Sequence, residues 1–327
     1  MAKILVTGGA GYIGSHMTDL LLERGHKVIV FDNLQTGFRD AVLNAKLVIG
    51  DLGDEKALTQ LFAEEQFDAV MHFAAFIQVG ESVSNPALYY KNNVANTLNL
   101  LTAMLKHQVK VIIFSSSAAV YGEPRYIPID EAHPKDPLNP YGRSKLIVEQ
   151  ILQDYAQAYD LRSISLRYFN AAGADPKGRL GERHNPESHL IPLVLQAASG
   201  RRNAVSVYGE DYPTKDGTCI RDYIHIVDLC QAHLLALNKL LNGGGSDAYN
   251  LGNGNGFSIL EVIETAKIIT NKFIKVIKAA RRVGDPAILV ADATKAKKDL
   301  GWQPKFSALK TIIEHAWQWE NKINNQN

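Results

Sequence analysis

The sequence predicts an α/β fold: a doubly wound parallel sheet over residues 1–170, with a smaller α/β lobe from residues 171–327 set over its mouth. Three observations carry this. Short, continuous apolar runs of strand length alternate through the first half with segments of helical periodicity. The first run passes directly into a glycine-rich turn, Thr7-Gly8-Gly9-Ala10-Gly11-Tyr12-Ile13-Gly14. Polar residues suited to chemistry follow the ends of several runs, which is where open parallel sheets bind their ligands. Strands that are apolar throughout belong to a sheet covered by helices on both faces.

The elements read in order as follows. Ile4-Leu5-Val6 is a first strand, and Leu20, Leu21 and Leu22 belong to a helix that stops near Gly25. Val28-Ile29-Val30-Phe31 is a second strand ending in Asp32, and Lys46 to Gly50 a third ending in Asp51. A helix near Glu55 to Glu65 leads to a fourth strand, Asp68 to Phe73. A long helical pattern from Pro86 to His107 carries Val94, Leu98, Leu101 and Leu105 on one face. Val111 to Phe114 is a fifth strand with Ser115-Ser116-Ser117 at its end. A proline-rich loop then opens a helix from Tyr141 to Tyr159, and Ser163 to Arg167 is the sixth strand. Past Asn170 the regularity breaks: residues 171 to 188 read as loop, Gly243-Gly244-Gly245 as a turn, and Phe257 to Asn271 as a helix. Some of these later segments are expected to pack back on the first domain.

The glycine turn fits two spacings: Gly9, Gly11 and Gly14 give G-x-G-x-x-G, while Gly8, Gly11 and Gly14 give G-x-x-G-x-x-G. Between a strand and a helix, either lets the backbone approach a dinucleotide pyrophosphate, because Cβ atoms are missing and the helix start offers free N–H groups. Asp32 follows at roughly the 20-residue offset of a carboxylate that holds a ribose 2′-hydroxyl. It would repel a 2′-phosphate, and Asn33-Leu34-Gln35 supplies no arginine to receive one, so NAD is favoured over NADP.

The bulk properties exclude several classes. The 327 residues carry a formal net charge of +1, from 35 basic and 34 acidic side chains, so no global field draws the chain to nucleic acid or a membrane. No apolar run reaches the roughly 18 residues of a spanning helix, and the chain opens into a strand without a leader pattern. The two cysteines, Cys219 and Cys230, make no disulfide framework and show no metal-ligand spacing. A cytoplasmic protein without a metal is the expectation.

Tyr141 and Lys145 stand at i and i+4 at the start of a helix, hence on one face. A free phenol titrates near pH 10, and bringing it to neutrality requires about 4 kcal/mol of preference for the phenolate. A lysine ammonium and the positive ring of an oxidised nicotinamide together supply such a preference, making the tyrosine a general base. Ser117, after a different strand, can hydrogen-bond the same reacting hydroxyl.

On Thr7 to Gly14, Ser115 to Ser117 and Tyr141 to Lys145 the chain resembles the extended short-chain dehydrogenase/reductases, Rossmann-type proteins, and among them the UDP-glucose 4-epimerases. The likeness extends through Val79 to Ser82, Tyr89 to Val94, Ser115 to Gly122, Tyr168 to Asn170, Asp211 to Thr214, Arg221 to His225 and Arg281 to Asp285. It implies that Gly8, Gly11, Tyr12, Ile13, Gly14, Asp32, Asn33, Leu34, Gln35, Thr36, Gly37, Asp51, Leu52, Phe73, Ala74, Ala75, Asn92, Lys145 and Phe169 hold NAD, with Ser117 and Tyr141 beside it. Tyr141 then removes the proton of a sugar 4-hydroxyl, Ser117 orients the 4-oxygen, and a 4-keto sugar turns over before reduction on its other face. Asn170, His189, Leu190, Ser206, Val207, Tyr208, Arg221, Arg282 and Asp285 match positions that grip a UDP-sugar. A homodimer through the helices near 86–107 and 141–159 is also implied, with Ile147, Ile151 and Tyr155 extending an apolar stripe.

Three positions depart from the family pattern or leave it open. Ile77 stands where a lysine near the cofactor is common, and His189 where an asparagine is. Leu289 falls at the gate beside the sugar; its intermediate size leaves the acceptance of an N-acetyl group open. UDP-pentose and UDP-uronate 4-epimerases remain alternatives. A nucleotide-sugar 4,6-dehydratase would place Asp-Glu after the fifth strand, where this chain has Ala118-Ala119.

Overall fold

The computed structural model of the chain describes residues 1–282 and 284–324. The first half runs β1 (Lys3–Thr7), α1 (Tyr12–Glu23), β2 (Lys27–Asp32), β3 (Lys46–Ile49), α2 (Glu55–Glu64), β4 (Ala69–His72), α3 (Val79–Ser84), α4 (Pro86–Tyr89), α5 (Asn96–Lys106), β5 (Val111–Ser117), α6 (Pro140–Tyr159) and β6 (Arg162–Tyr168). The second half adds β7 (Asn170–Ala172), α7 (Leu190–Ser199), β8 (Val205–Tyr208), β9 (Ile220–His225), α8 (Ile226–Leu241), β10 (Asp247–Leu251), β11 (Gly256–Ser258), α9 (Ile259–Thr270), β12 (Val276–Ala279), β13 (Ile288–Leu289), α10 (Thr294–Leu300) and α11 (Leu309–Asn324).

Seven parallel strands form the main sheet, in the order β10-β6-β5-β4-β1-β2-β3. The order reverses at β1, which puts the glycine turn at the switch point of a doubly wound Rossmann-type sheet. Side chains alternate faces along each strand. Ile4, Val6, Val28, Val30, Ile113 and Ile164 meet Met17 and Leu21 of α1 and Leu229 and Leu237 of α8. Leu5, Ile29, Phe31, Ile112 and Phe114 meet Leu58, Leu61, Leu101, Met104, Val148 and Leu152 of α2, α5 and α6 on the other face. A third core, in which α7, α9 and α11 bury Val194, Leu195, Val262, Ile263, Ile312 and Ile313, belongs to the second half. There β9 pairs with β7, β11 and β13, and β8 pairs with β12.

Several elements differ from the sequence reading. The helical run from Pro86 to His107 is broken by a π-helical turn at Tyr90–Ala95, between α4 and α5. Such a turn marks a local constraint: the Asn93 side chain is held by the Phe76 backbone and by Ser144 of α6. The helix expected from Phe257 begins instead at Ile259. Ser258 caps it, accepting from Glu261 N while Glu261 accepts from Ser258 N, and Gly256–Ser258 pair with β9. The first two residues of the stretch read as loop, Ala171 and Ala172, continue a strand that begins at Asn170 and pairs with β9.

Candidate active site

The glycine turn is compact for reasons that can be read atom by atom. Gly8 has φ +74, and a Cβ there would lie 2.5 Å from Ala74 N. A Cβ on Gly14 would lie 2.2 Å from Gly8 O, so only glycine lets α1 start this close to β1. A Cβ on Gly11 would meet only Gly8 O, at 3.4 Å, so this position faces space rather than protein. The first turn of α1 has no side-chain cap and no acidic residue. Its leading N–H groups therefore point into the cleft with a partial positive charge, which suits a diphosphate.

The loops around the turn form one unit. Asp32 accepts from Ala10 N at 3.0 Å and Leu34 N at 2.8 Å, one bond per oxygen, which leaves each oxygen a further lone pair for a hydroxyl donor. Burial raises the Asp32 carboxyl above its usual range, and the two backbone donors oppose that. Leu34 takes a positive φ of 59, and Gln35 N donates to Asn33 Oδ1 at 3.0 Å. Phe38 N donates to Ala10 O at 2.9 Å, which fastens Thr36 and Gly37 beside the turn. Asn33 Nδ2 donates to Asp51 Oδ2 at 2.6 Å, while Leu52 is buried in the core beneath. Phe73 N and Ala74 N donate to Thr7 O, placing Phe73-Ala74-Ala75 beside β1. Asn92 Nδ2 donates to Asn93 Oδ1 at 2.9 Å. Tyr12 spends its hydroxyl on Gly173 O, at 2.7 Å, so toward a ligand it and Ile13 offer the helix-start backbone.

Catalytic-type groups gather at the end of β5. Pro140 occupies the first turn of α6 and Asn139 caps it, accepting from Gly142 N at 2.9 Å. A Cβ on Gly142 would lie 2.4 Å from Ala119 O, so glycine lets the helix start press on the 118–120 turn. That contact brings Tyr141 within hydrogen-bonding reach of Ser117, whose Oγ also accepts from Ala119 N at 3.1 Å. Lys145 is 4% exposed; its Nζ donates to Ser115 O at 2.8 Å and sits 5.9 Å from the centre of the Tyr141 ring. Burial pulls its ammonium down to about 7, with Glu149 opposing that.

Here the electrostatics differ from the sequence reading. Burial raises the Tyr141 phenol, and the neighbouring Ser117 hydroxyl opposes that; Lys145, half protonated at neutral pH and aimed at Ser115, does not hold it down in the bare chain. A positive charge brought beside the ring has to do so.

Behind this site runs a buried network that sequence reasoning missed. Glu149 receives Ser116 Oγ at 2.6 Å and Arg167 Nη2 at 2.6 Å; Arg167 Nη1 donates to Tyr121 Oη at 2.9 Å, and Tyr121 donates to Asn250 Oδ1 at 2.6 Å. It ties β5, α6, β6 and β10 together directly under Ser117 and Lys145.

The residues expected to meet a UDP-sugar fall into two groups. Along β9, Arg221 pairs in register with Leu289 and forms an ion pair with Asp285, and Asn170 Nδ2 donates to Asp222 O at 2.8 Å. Leu289 and Phe169 pack on Val120, Tyr121 and Ile129, next to the Ser117 turn. Along β8, the Arg282 guanidinium stacks 4.0 Å from the Tyr208 ring, with Ser206 two residues before. Val207 is buried in the third core, so only its backbone can face a ligand. His189 departs from the group: its imidazole hydrogen-bonds Glu182, beside His184 and Glu187, while its backbone caps α7 ahead of Leu190. Ile77 stands at the surface.

This arrangement matches a known family model, the NAD dependent epimerase/dehydratase family, over residues 4–252. The chain belongs to that family. Among curated relatives, a UDP-glucose 4-epimerase of Halalkalibacterium halodurans is 54% identical over 319 residues, covering 98% of this chain and 96% of that one. Among solved structures, the UDP-glucose 4-epimerase of Brucella ovis in complex with NAD superposes with a TM-score of 0.95 at 49% identity, covering 97% and 98% of the two chains. That of Bifidobacterium longum, in complex with NAD+ and UDP, gives a TM-score of 0.95 at 42% identity, covering 99% and 100%. Family membership accords with the glycine turn, Asp32 and the Tyr141–Lys145 pair standing on one sheet edge.

Proposed function

We propose that the chain is an NAD-dependent UDP-hexose 4-epimerase, an isomerase that interconverts UDP-galactose and UDP-glucose through a transient 4-keto sugar. The observation that carries this reading is the convergence of Ser117, Tyr141 and Lys145 beyond β5, beside a glycine turn built for a dinucleotide. Tyr141 Oη accepts the proton of the sugar 4-hydroxyl and returns a proton to the 4-oxygen after the sugar has turned. Ser117 Oγ holds that oxygen in line. Lys145, anchored on the Ser115 carbonyl, would help to hold the dinucleotide beside Tyr141. NAD held by these residues would supply the two-electron acceptor for C4 and, in its oxidised form, a positive ring near Tyr141.

Gly8 to Gly14 with Tyr12 and Ile13 cradle the pyrophosphate; Asp32 to Gly37, Asp51 and Leu52 receive the adenosine end; Phe73 to Ala75, Asn92 and Phe169 line the rest. Arg221 and Arg282 present planar donor forks to the UDP diphosphate, Tyr208 and Ser206 flank it, and Asp285 accepts a ribose hydroxyl. Asn170, Leu190 and Leu289 lie on the sugar side. Ala118 and Ala119 contribute only backbone contacts, which leaves a 4,6-dehydratase without its acid and base. The chain acts as a homodimer through the helices near 86–107 and 141–159, where Ile147, Ile151 and Tyr155 are half-buried; sedimentation at micromolar concentration tests this. Among the described residues no helix is long and apolar enough to cross a membrane. The free buried thiols of Cys219 and Cys230 fit a reducing cytoplasm.

Purified protein given UDP-galactose forms UDP-glucose without added reductant. A panel of UDP-hexoses, UDP-pentoses, UDP-uronates and N-acetylated sugars, read by mass spectrometry, tests the choice of sugar. No conversion of either UDP-hexose by protein with NAD bound rejects the reading.

A further inference from the structure

Residues Glu182, His184, Glu187 and His189 lie in eight positions of chain with the pattern E-x-H-x-x-E-x-H. They sit between β7 and α7, outside the groups assigned to the reaction. One donor atom from each lies within 4.8 Å of all the others. His184 Nδ1 is 3.4 Å from Glu182 Oε1 and 3.4 Å from Glu187 Oε2, and His189 Nδ1 is 3.8 Å from Glu187 Oε1. Zinc bonds of about 2.0–2.2 Å to nitrogen and oxygen, arranged as a tetrahedron, set neighbouring donors about 3.3–3.5 Å apart. The two separations from His184 fall in that range, and that from His189, to the other Glu187 oxygen, is a few tenths longer. The fourth contact, His189 to Glu182, has closed into a direct hydrogen bond.

A second observation points the same way. The His184 Nδ1 atom is buried and makes no aligned hydrogen bond, although two carboxylate oxygens are at hand. Its contact with the two carboxylates is electrostatic rather than a directed hydrogen bond, and a cation among these donors would give the nitrogen a directed partner. The carboxylates hold protons on both imidazoles, so in the ion's absence the cluster is already balanced; a divalent ion would displace those two protons and leave the total charge unchanged. Imidazole nitrogens select zinc over magnesium or calcium, which take oxygen shells.

We propose that Glu182, His184, Glu187 and His189 form a structural zinc site. Four protein donors leave no open position, so the ion acts on the fold rather than on substrate. It clips a loop held at one side by Trp319 Nε1, which donates to Glu182 O at 2.9 Å. At the other side the His184 ring lies edge-on to Tyr12 at the start of α1, 6.5 Å between centres. The loop ends at the first residue of α7, Leu190. The ion therefore sets the spacing between the dinucleotide-binding helix and the helix that presents Leu190, and the His189 imidazole serves the ion rather than the UDP.

The test uses the full chain, stripped with a chelator and titrated with Zn2+ alone. One zinc per chain is expected to survive gel filtration, with a raised melting temperature; Mg2+ should do neither. Co2+ in its place should give the visible absorption of a tetrahedral ion. His184→Ala and Glu187→Gln should each weaken zinc at least about 100-fold while far-UV circular dichroism and NAD content stay those of the parent. If the parent retains no zinc, or either folded variant retains it as the parent does, the site is refuted. These readouts stand apart from sugar turnover, so either reading can fail without the other.

Discussion

Replacing Gly142 by alanine tests the geometry that makes Tyr141 useful. The added Cβ would lie 2.4 Å from Ala119 O and 3.0 Å from Pro137 Cβ. Ordinary contact begins near 3.4 Å, so a gap of about 1 Å must open between the start of α6 and the 118–120 turn. Tyr141 is the neighbour of the altered residue, and Ser117 caps the opposing turn, so that gap falls between the two groups that share the 4-oxygen. A misplacement of about 1 Å costs on the order of 100-fold in rate. Alanine is the better helix former by about 1 kcal/mol, which offsets part of the strain, so stability should change little. The expected result is kcat down roughly 100-fold, with NAD content unchanged and the urea midpoint near that of the parent. Activity within threefold of the parent would refute the argument that this contact positions the base.

Three further outcomes follow from the same structure. Glu149 and Arg167 are both nearly unexposed, and removing one partner of a buried pair costs about 3–5 kcal/mol; Glu149→Gln should lower urea stability by that amount, and the double change to methionine should recover most of it. Burial holds His16 and His233 down to about 4 and His72 and His225 down to about 3. Their folded values lie below the unfolded value near 6.5, so the unfolded chain binds the extra protons: stability is complete above pH 6.5 and is lost as pH falls toward 4. At about 1.4 kcal/mol per proton per pH unit these four groups steepen the loss below pH 6.5, while Asp222, raised to about 6 by burial, opposes part of it; urea titrations at pH 7, 6 and 5 check the direction, and a midpoint that does not fall would contradict it. Arg221→Ala should raise KM for the UDP-sugar at least about tenfold while leaving NAD content intact, because Arg221 lies on β9 and not on the dinucleotide edge; equilibrium dialysis and steady-state kinetics separate the two.

The parts of this molecule that are legible in the sequence are those fixed by short covalent spacing. Strand Ile4–Val6, the turn Gly8–Gly14 and Asp32 at the end of β2 stand where local sequence pattern places them. Tyr141 and Lys145 share a helix face for the same reason. What sequence did not disclose depends on contacts between distant segments. The low value of Lys145 comes from burial against the end of β5, which spacing along α6 does not reveal. Strand β10 is five residues long and reaches the sheet edge only by pairing with β6, many residues earlier. The Glu149–Arg167 network needs two elements in register before either charge has a partner. The start of α9 was misplaced because a strand pair with β9 outranks the helical propensity of Phe257. The Glu182–His189 pattern lies within eight residues of chain but contains no cysteine, so cysteine spacing does not reveal it.

The central claim is that Tyr141 alone carries the proton to and from the sugar 4-oxygen while the dinucleotide stays in place. The most direct measurement is single-turnover and steady-state conversion of UDP-galactose by Tyr141→Phe, with bound NAD quantified in the same sample. The account expects turnover to fall by about 100- to 10,000-fold with NAD content equal to that of the parent. Full activity in a variant that lacks the phenol hydroxyl would contradict it.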